Sequence, residues 1–185
     1  MTLTARAHTI IQVCVTLLMA LTFTVGLTSV GRADDELTTI YIVRHAEKEK
    51  LKRGEKDPPG PGLTDAGRKR AETLAVMMKD AGVKAIYINN YLRTQQTAEP
   101  TARETGAKVS EIKDAAETIR AIRKEDAIHT FLIVGRSNTV DDLGSELGVT
   151  IPTLNETQYD RMFIVRMRGD KVELETSRYG EKSPD

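Results

Sequence analysis

The 185-residue chain contains one cysteine, Cys14, and three histidines, and its 27 basic side chains are matched by 27 acidic ones. A lone cysteine excludes an internal disulfide framework and a zinc site built on paired cysteines. A formal net charge of zero leaves no global field to recruit nucleic acid or an anionic membrane surface, so any anion recognition must be local. No internal repeat, low-complexity tract or His/Asp/Glu cluster with metal-ligand spacing is present, and the expected chemistry uses neither a metal nor another cofactor. The length and a hydrophobic content of 39% suit one core rather than two.

The N-terminal residues differ in kind from the rest. Arg6 and His8 form a weakly basic start, and from Thr9 to Gly31 there is no charged side chain. Gly31 and Ala33 then place small residues before a cut after Ala33, followed at once by Asp34, Asp35 and Glu36. This reads as a secretory signal peptide over residues 1–33, with a domain over 34–185 that is periplasmic or secreted. About 20 apolar residues also suffice to span a bilayer, so the alternative is an uncleaved anchor, the one way in which a membrane becomes a partner. Cleavage removes Cys14 and leaves a chain without cysteine, which suits an oxidising compartment as well as it suits any other.

Beyond this segment the apolar pattern alternates between strand and helix. Leu37 to Val43 is β-branched and apolar, as a buried strand is. A polar loop runs from Arg44 to Gly62 and closes on Pro58, Pro59 and Pro61. Thr64 caps a predicted helix in which Ala71, Leu74, Ala75 and Met78 recur at helical spacing, with Gly82 as its stop. Val83 to Ile88 is a second strand, and Leu92 to Glu104 a helix in which Pro100 marks a kink or a new first turn. Lys108 to Ile112 is a weak third strand, Asp114 to Glu125 a helix with Asp114 as N-cap, and Phe131 to Val134 the clearest buried strand. A helix over Asn138 to Leu147 and a hairpin over Arg161 to Arg178, turning at Gly169-Asp170, complete the chain. The expected fold is α/β: a largely parallel sheet with helices on both faces and a C-terminal antiparallel hairpin.

In such sheets ligands collect at the carboxyl ends of the parallel strands. Arg44-His45, the segment Asn89 to Arg93, and Gly135-Arg136-Ser137-Asn138 each follow a predicted strand, so all three loops should face one crevice. Guanidinium forks from separate loops bind a phosphomonoester dianion through charge-assisted hydrogen bonds. A neutral imidazole between them is a competent nucleophile toward phosphorus, and neighbouring positive charge favours that neutral form.

These motifs resemble those of the histidine phosphatase superfamily, the group that includes the cofactor-dependent phosphoglycerate mutases. The likeness runs from about Thr39 to Val149. Val43-Arg44-His45-Ala46-Glu47 is similar to the family's Arg-His-Gly box, with Ala46 in place of the usual glycine. Leu63-Thr64-Asp65-Ala66-Gly67, followed by Arg70-Ala71, resembles the start of its first helix. Arg93-Thr94-Gln95-Gln96-Thr97-Ala98 matches its second arginine segment. The resemblance implies a phosphoglycerate mutase-like fold, His45 as the nucleophile that forms a phosphohistidine, and Arg44 and Arg93 as the phosphate clamp.

The pattern departs from the family at one position. A second histidine is expected after the central strand, in the context Gly-His-Ser, and this chain has Gly135-Arg136-Ser137. His8 lies in the export segment and His129 before the strand, at the end of the sheet away from the crevice, so neither substitutes. Arg136 is therefore the third candidate phosphate ligand. The expected activity is hydrolysis of a phosphate ester through His45, at a rate the substitution reduces. The alternative is a degenerate module that binds phosphate-bearing ligands without turnover. The substrate or ligand is a phosphate-bearing small molecule or a phosphoprotein. By family position the general acid lies after the third strand, where Asp114 is the first candidate and Glu117 the next; Glu47 beside the nucleophile is another. Asp114 is also explained simply as a helix cap, and the charged run from Glu47 to Asp57 as a solvated loop.

Overall fold

Strand β1 (Thr38–Arg44) places Ile40 and Ile42 on one face of the sheet and Tyr41 and Val43 on the other, the period of two that a strand buried on both sides requires. β4 (Thr130–Gly135) alternates in the same way, with Phe131 and Ile133 opposite Leu132 and Val134. The two are parallel neighbours at the centre of a six-stranded sheet of order β3-β2-β4-β1-β5-β6. β2 (Ala85–Ile88) and β3 (Lys108–Glu111) continue the parallel part, and β5 (Arg161–Arg168) and β6 (Lys171–Arg178) add the antiparallel hairpin. The computed structural model describes residues 36–184; the expected signal or anchor segment and Cys14 lie outside the described residues.

Helices cover both faces. α1 (Asp65–Asp80) and α2 (Leu92–Thr105) pack Leu74, Met78 and Ala98 against Val43, Leu132 and Val134. α3 (Ala115–Arg123) and α4 (Ser137–Leu147) pack Ile119, Ile122, Leu143 and Leu147 against Ile40, Ile42 and Phe131. Each such side chain contributes roughly 1.5–3 kcal/mol of burial free energy. The sheet and its helices have the phosphoglycerate mutase-like arrangement expected from the sequence.

Local chemistry sets the helix ends. The Thr64 hydroxyl accepts from the Gly67 amide at 3.1 Å, and the Asp114 carboxylate from the Glu117 amide at 2.9 Å, each satisfying an otherwise unpaired first-turn donor. α2 passes through Pro100 as one continuous helix, so of the two expectations there, a kink or a new first turn, the new first turn is not seen. Pro100 and its neighbour Thr101 are buried, and packing against α1 offsets the lost backbone hydrogen bond. α4 begins at Ser137, one residue earlier than the pattern suggests, with Arg136 as its N-cap and no side-chain hydrogen bond at that cap.

Candidate active site

Because β1, β2 and β4 are parallel and adjacent, their carboxyl ends bring three loops side by side. The His45 amide donates to the Gly135 carbonyl at 2.9 Å, joining the end of β1 to the end of β4. The Ala46 amide donates to the Thr97 hydroxyl at 3.0 Å, and that hydroxyl donates to the Arg93 carbonyl at 2.7 Å, tying the same loop to α2. The Thr139 hydroxyl donates to Asn89 Oδ1 at 3.1 Å and closes the ring between the loops after β2 and β4. Gly135 keeps this junction close, since a Cβ on it would lie 3.0 Å from Thr139 Cβ and crowd that side chain.

Arg44, His45 and Arg93 are all buried at this junction. His45 is only 5% exposed, and its Nδ1 lies 2.8 Å from the Ala46 carbonyl. A carbonyl only accepts, so Nδ1 carries the proton and Nε2 the lone pair. Burial pushes the imidazole pKa down to about 3, and Arg44, Arg93 and Lys48 push in the same direction against the Ala46 hydrogen bond. Tyr159 lines the opposite wall, 6.1 Å from the imidazole and with the Arg44 guanidinium 4.2 Å from its ring centroid. Arg44 also donates to the carbonyls of Asn155 and Glu156 at 2.5 and 2.6 Å, so it braces the loop before β5 while lending its charge to the pocket.

Arg93 and Arg136 rest on one aromatic ring. Their guanidinium carbons lie 4.3 and 4.5 Å from the Tyr91 centroid, a cation–π arrangement that lets two like charges sit close together. The Nε–H groups of Arg44, Arg93 and Arg136 are buried and have no hydrogen-bond partner among the described residues. Arg93 forms an ion pair with Asp57, Nη1 to Oδ1 at 2.8 Å. Beside Arg136 opens a cavity of about 370 Å³ lined also by Asn89, Asp114, Asn138, Thr139 and Asp142.

The remaining sequence candidates take other places. Asp114 is exposed and caps α3, reaching only the cavity beyond Arg136. Glu117 is exposed in the first turn of α3. Glu47 is held by Arg70 through contacts of 2.7–3.0 Å, and Arg70 donates in addition to the Tyr179 carbonyl at 2.8 Å. Arg70 is 4% and Glu47 22% exposed at the side chain, so this is a largely buried pair that fastens the His45 loop to α1. Glu47→Ala strands the Arg70 charge, and chemical denaturation should show a loss of about 3–5 kcal/mol. A loss no greater than that of an exposed alanine replacement would show that the pair carries no such weight. His129 lies at the start of β4, paired with Glu36 at 2.7 Å.

Sequence reading missed Tyr91, Tyr159 and Asp57. The aromatics carried a weak signal, since only five tyrosines exist and these two adjoin the starts of α2 and β5. Asp57 was concealed within a run of mixed charge that reads as solvated loop.

The crevice lies at the carboxyl ends of the parallel strands of a phosphoglycerate mutase-like fold, with a neutral imidazole among buried arginines. Residues 40–122 match the histidine phosphatase superfamily (branch 1), which supports assignment of the chain to that superfamily. The matched span contains Arg44, His45 and Arg93 and ends before β4 and Arg136. No curated protein matches the chain. Among solved structures, one assigned as the phosphohistidine phosphatase SixA of Agrobacterium tumefaciens is 23% identical, with a TM-score of 0.55 over 77% of this chain and 99% of its own. The protein histidine phosphatase SixA complexed with tungstate is 16% identical, with a TM-score of 0.61 over 76% and 97%. A mycobacterial glucosyl-3-phosphoglycerate phosphatase is 9% identical, with a TM-score of 0.58 over 78% and 99%. At these identities the likeness establishes the fold.

Proposed function

We propose that the protein is a phosphatase that transfers a phosphoryl group to His45 Nε2 and from there to water. The observation that carries this reading is the state of His45: neutral, oriented by the Ala46 carbonyl, with its lone pair on Nε2 and two buried arginines beside it. A nucleophile in that state needs no base to activate it. The arginines stabilise the charge that develops on the phosphoryl oxygens. That one neighbour of the same fold holds tungstate, a tetrahedral oxyanion, supports oxyanion binding in the corresponding crevice. The names of the SixA neighbours favour a protein-borne phosphate among the substrates to be tried first.

One observation favours a second reading, a module that holds phosphate without turnover. By the resemblance read in the sequence, Arg136 takes the place of the family's second histidine, and its guanidinium is stacked on Tyr91. A permanent cation binds ground state and transition state alike, which adds affinity more than rate. Brief mixing with labelled p-nitrophenyl phosphate, followed by an alkaline quench, separates the two. The first reading expects an acid-labile, base-stable phosphoryl group on His45; binding of phosphate and vanadate with no such label would leave only the second.

A further inference from the structure

Asp57 is the one carboxylate among the described residues that an ion pair joins to the phosphate clamp. Its position is built into the fold. The Leu92 amide donates to the Pro59 carbonyl at 2.7 Å, and the Leu63 amide to Gln96 Oε1 at 2.7 Å, so both ends of the short segment after Asp57 are pinned to the first turns of α2. That docking sets the Asp57 carboxylate against Arg93, with Oδ1 2.8 Å from Nη1 and Oδ2 3.5 Å from Nη2, and leaves its side chain 35% exposed. The other candidate carboxylates are committed elsewhere. Glu47 is clasped by Arg70, Asp114 caps α3, and the buried Asp160 accepts from Arg161 and Arg178.

On this geometry, and resting on the phosphatase reading above, we propose that Asp57 is the catalytic residue that donates the proton to the leaving group and later takes one from the attacking water. Three cations face it: Arg93 from α2, Lys48 from its own loop and Arg136 from the start of α4. In the empty pocket the Arg93 hydrogen bond, helped by those charges, outweighs partial desolvation and holds the carboxyl below the usual aspartate range. A bound phosphate dianion reverses that balance. It competes for the Arg93 donors and sets two negative charges beside the carboxylate, and both effects favour protonation. Substrate binding thus converts a structural anion into an acid at the place where an acid is needed. Partial exposure gives the incoming proton a route from solvent.

The step is balanced as follows. The His45 Nε2 lone pair forms the N–P bond. The bond from phosphorus to the leaving oxygen breaks, its electron pair stays on that oxygen, and the Asp57 proton joins it. In the second half a water oxygen bonds to phosphorus, the N–P pair returns to Nε2, and the water proton passes to the Asp57 carboxylate. Inorganic phosphate departs, Asp57 returns its proton to solvent, and the carboxylate pairs with Arg93 again. Asp57 is better suited to this role than Asp114, which touches no clamp arginine through an ion pair or hydrogen bond shown by the fold.

The test compares leaving groups. Glycerol phosphate releases an alkoxide that needs a proton, whereas p-nitrophenyl phosphate releases a phenolate that departs unprotonated. Asp57→Asn should lower kcat/KM, which reads only the half-reaction that expels the leaving group, on glycerol phosphate by about 10²-fold or more and on p-nitrophenyl phosphate by less than about tenfold. Retained turnover of the aryl ester shows that the variant's pocket is folded. Asp57→Glu should recover part of the loss on the alkyl ester. Equal losses on the two esters overturn the assignment, as does the same leaving-group dependence found in Asp114→Asn and missing from Asp57→Asn. A wild type that turns over neither ester removes the phosphatase reading itself, and this assignment with it.

Discussion

His45→Asn should lower turnover of p-nitrophenyl phosphate by about 10⁴–10⁶-fold, the scale on which removal of a covalent nucleophile is felt. Phosphate should still bind the variant, because Arg44, Arg93 and Arg136 remain. Calorimetry with phosphate therefore separates a lost nucleophile from a collapsed pocket. The size of the effect follows from the preparation of the side chain. In the folded protein the imidazole pKa is about 3 against an ordinary value of 6.5, with burial as the leading cause. The imidazole is accordingly neutral across the roughly pH 5–8 range in which an ordinary histidine titrates. The same shift has a sign in stability. Between those pKa values the unfolded chain binds a proton at His45 and the folded chain does not, so stability falls as pH falls through that window. From pH 7 to 5 the wild type should lose about 2 kcal/mol more than His45→Asn by denaturant titration. Equal turnover in the two proteins would sink the phosphohistidine mechanism; equal pH dependence of stability would show that His45 titrates normally.

Arg136→His is the substitution expected to raise activity, by about 10²–10³-fold in kcat. The backbone at this position is held independently of the side chain, since the neighbouring Gly135 carbonyl accepts the His45 amide and the Arg136 carbonyl accepts the Val140 amide at 3.0 Å. A shorter imidazole placed on the same Cα gives up the stacking on Tyr91 and offers a donor to a phosphoryl oxygen. Its hydrogen bond strengthens as charge develops there, so it serves the transition state more than the ground state. Product phosphate should bind the variant less tightly, because one permanent charge has left the pocket. A kcat that is unchanged or lower, with the fold intact, would mean that Tyr91 and Arg93 have been fitted around the arginine and the site now works by holding its ligand.

Much of the fold was legible because its evidence is local. Alternating apolar runs such as Phe131 to Val134 identify strands, and Thr64 and Asp114 identify helix starts through hydrogen bonds made within three residues. The parallel orientation of β1, β2 and β4 follows from alternation of strand and helix, and it places Arg44, His45, Arg93 and Arg136 at one end of the sheet. At Pro100 local propensity left a kink and a new first turn open, and tertiary packing decided for one continuous helix.

The sequence by itself determined the class of fold, the end of the sheet at which the candidate site lies and the nucleophile candidate, since each depends on residue type, periodicity and position along the chain. Only the tertiary structure decided what the individual charges do. Gly67 must be glycine because a Cβ there would lie 2.2 Å from the Glu47 carbonyl oxygen, 20 positions away in sequence. Glu47 belongs to Arg70, Asp57 to Arg93, and the Arg44 fork to the carbonyls of Asn155 and Glu156. Charge pairing depends on distance in space and on the local exclusion of water, and a run of mixed charge in sequence specifies neither.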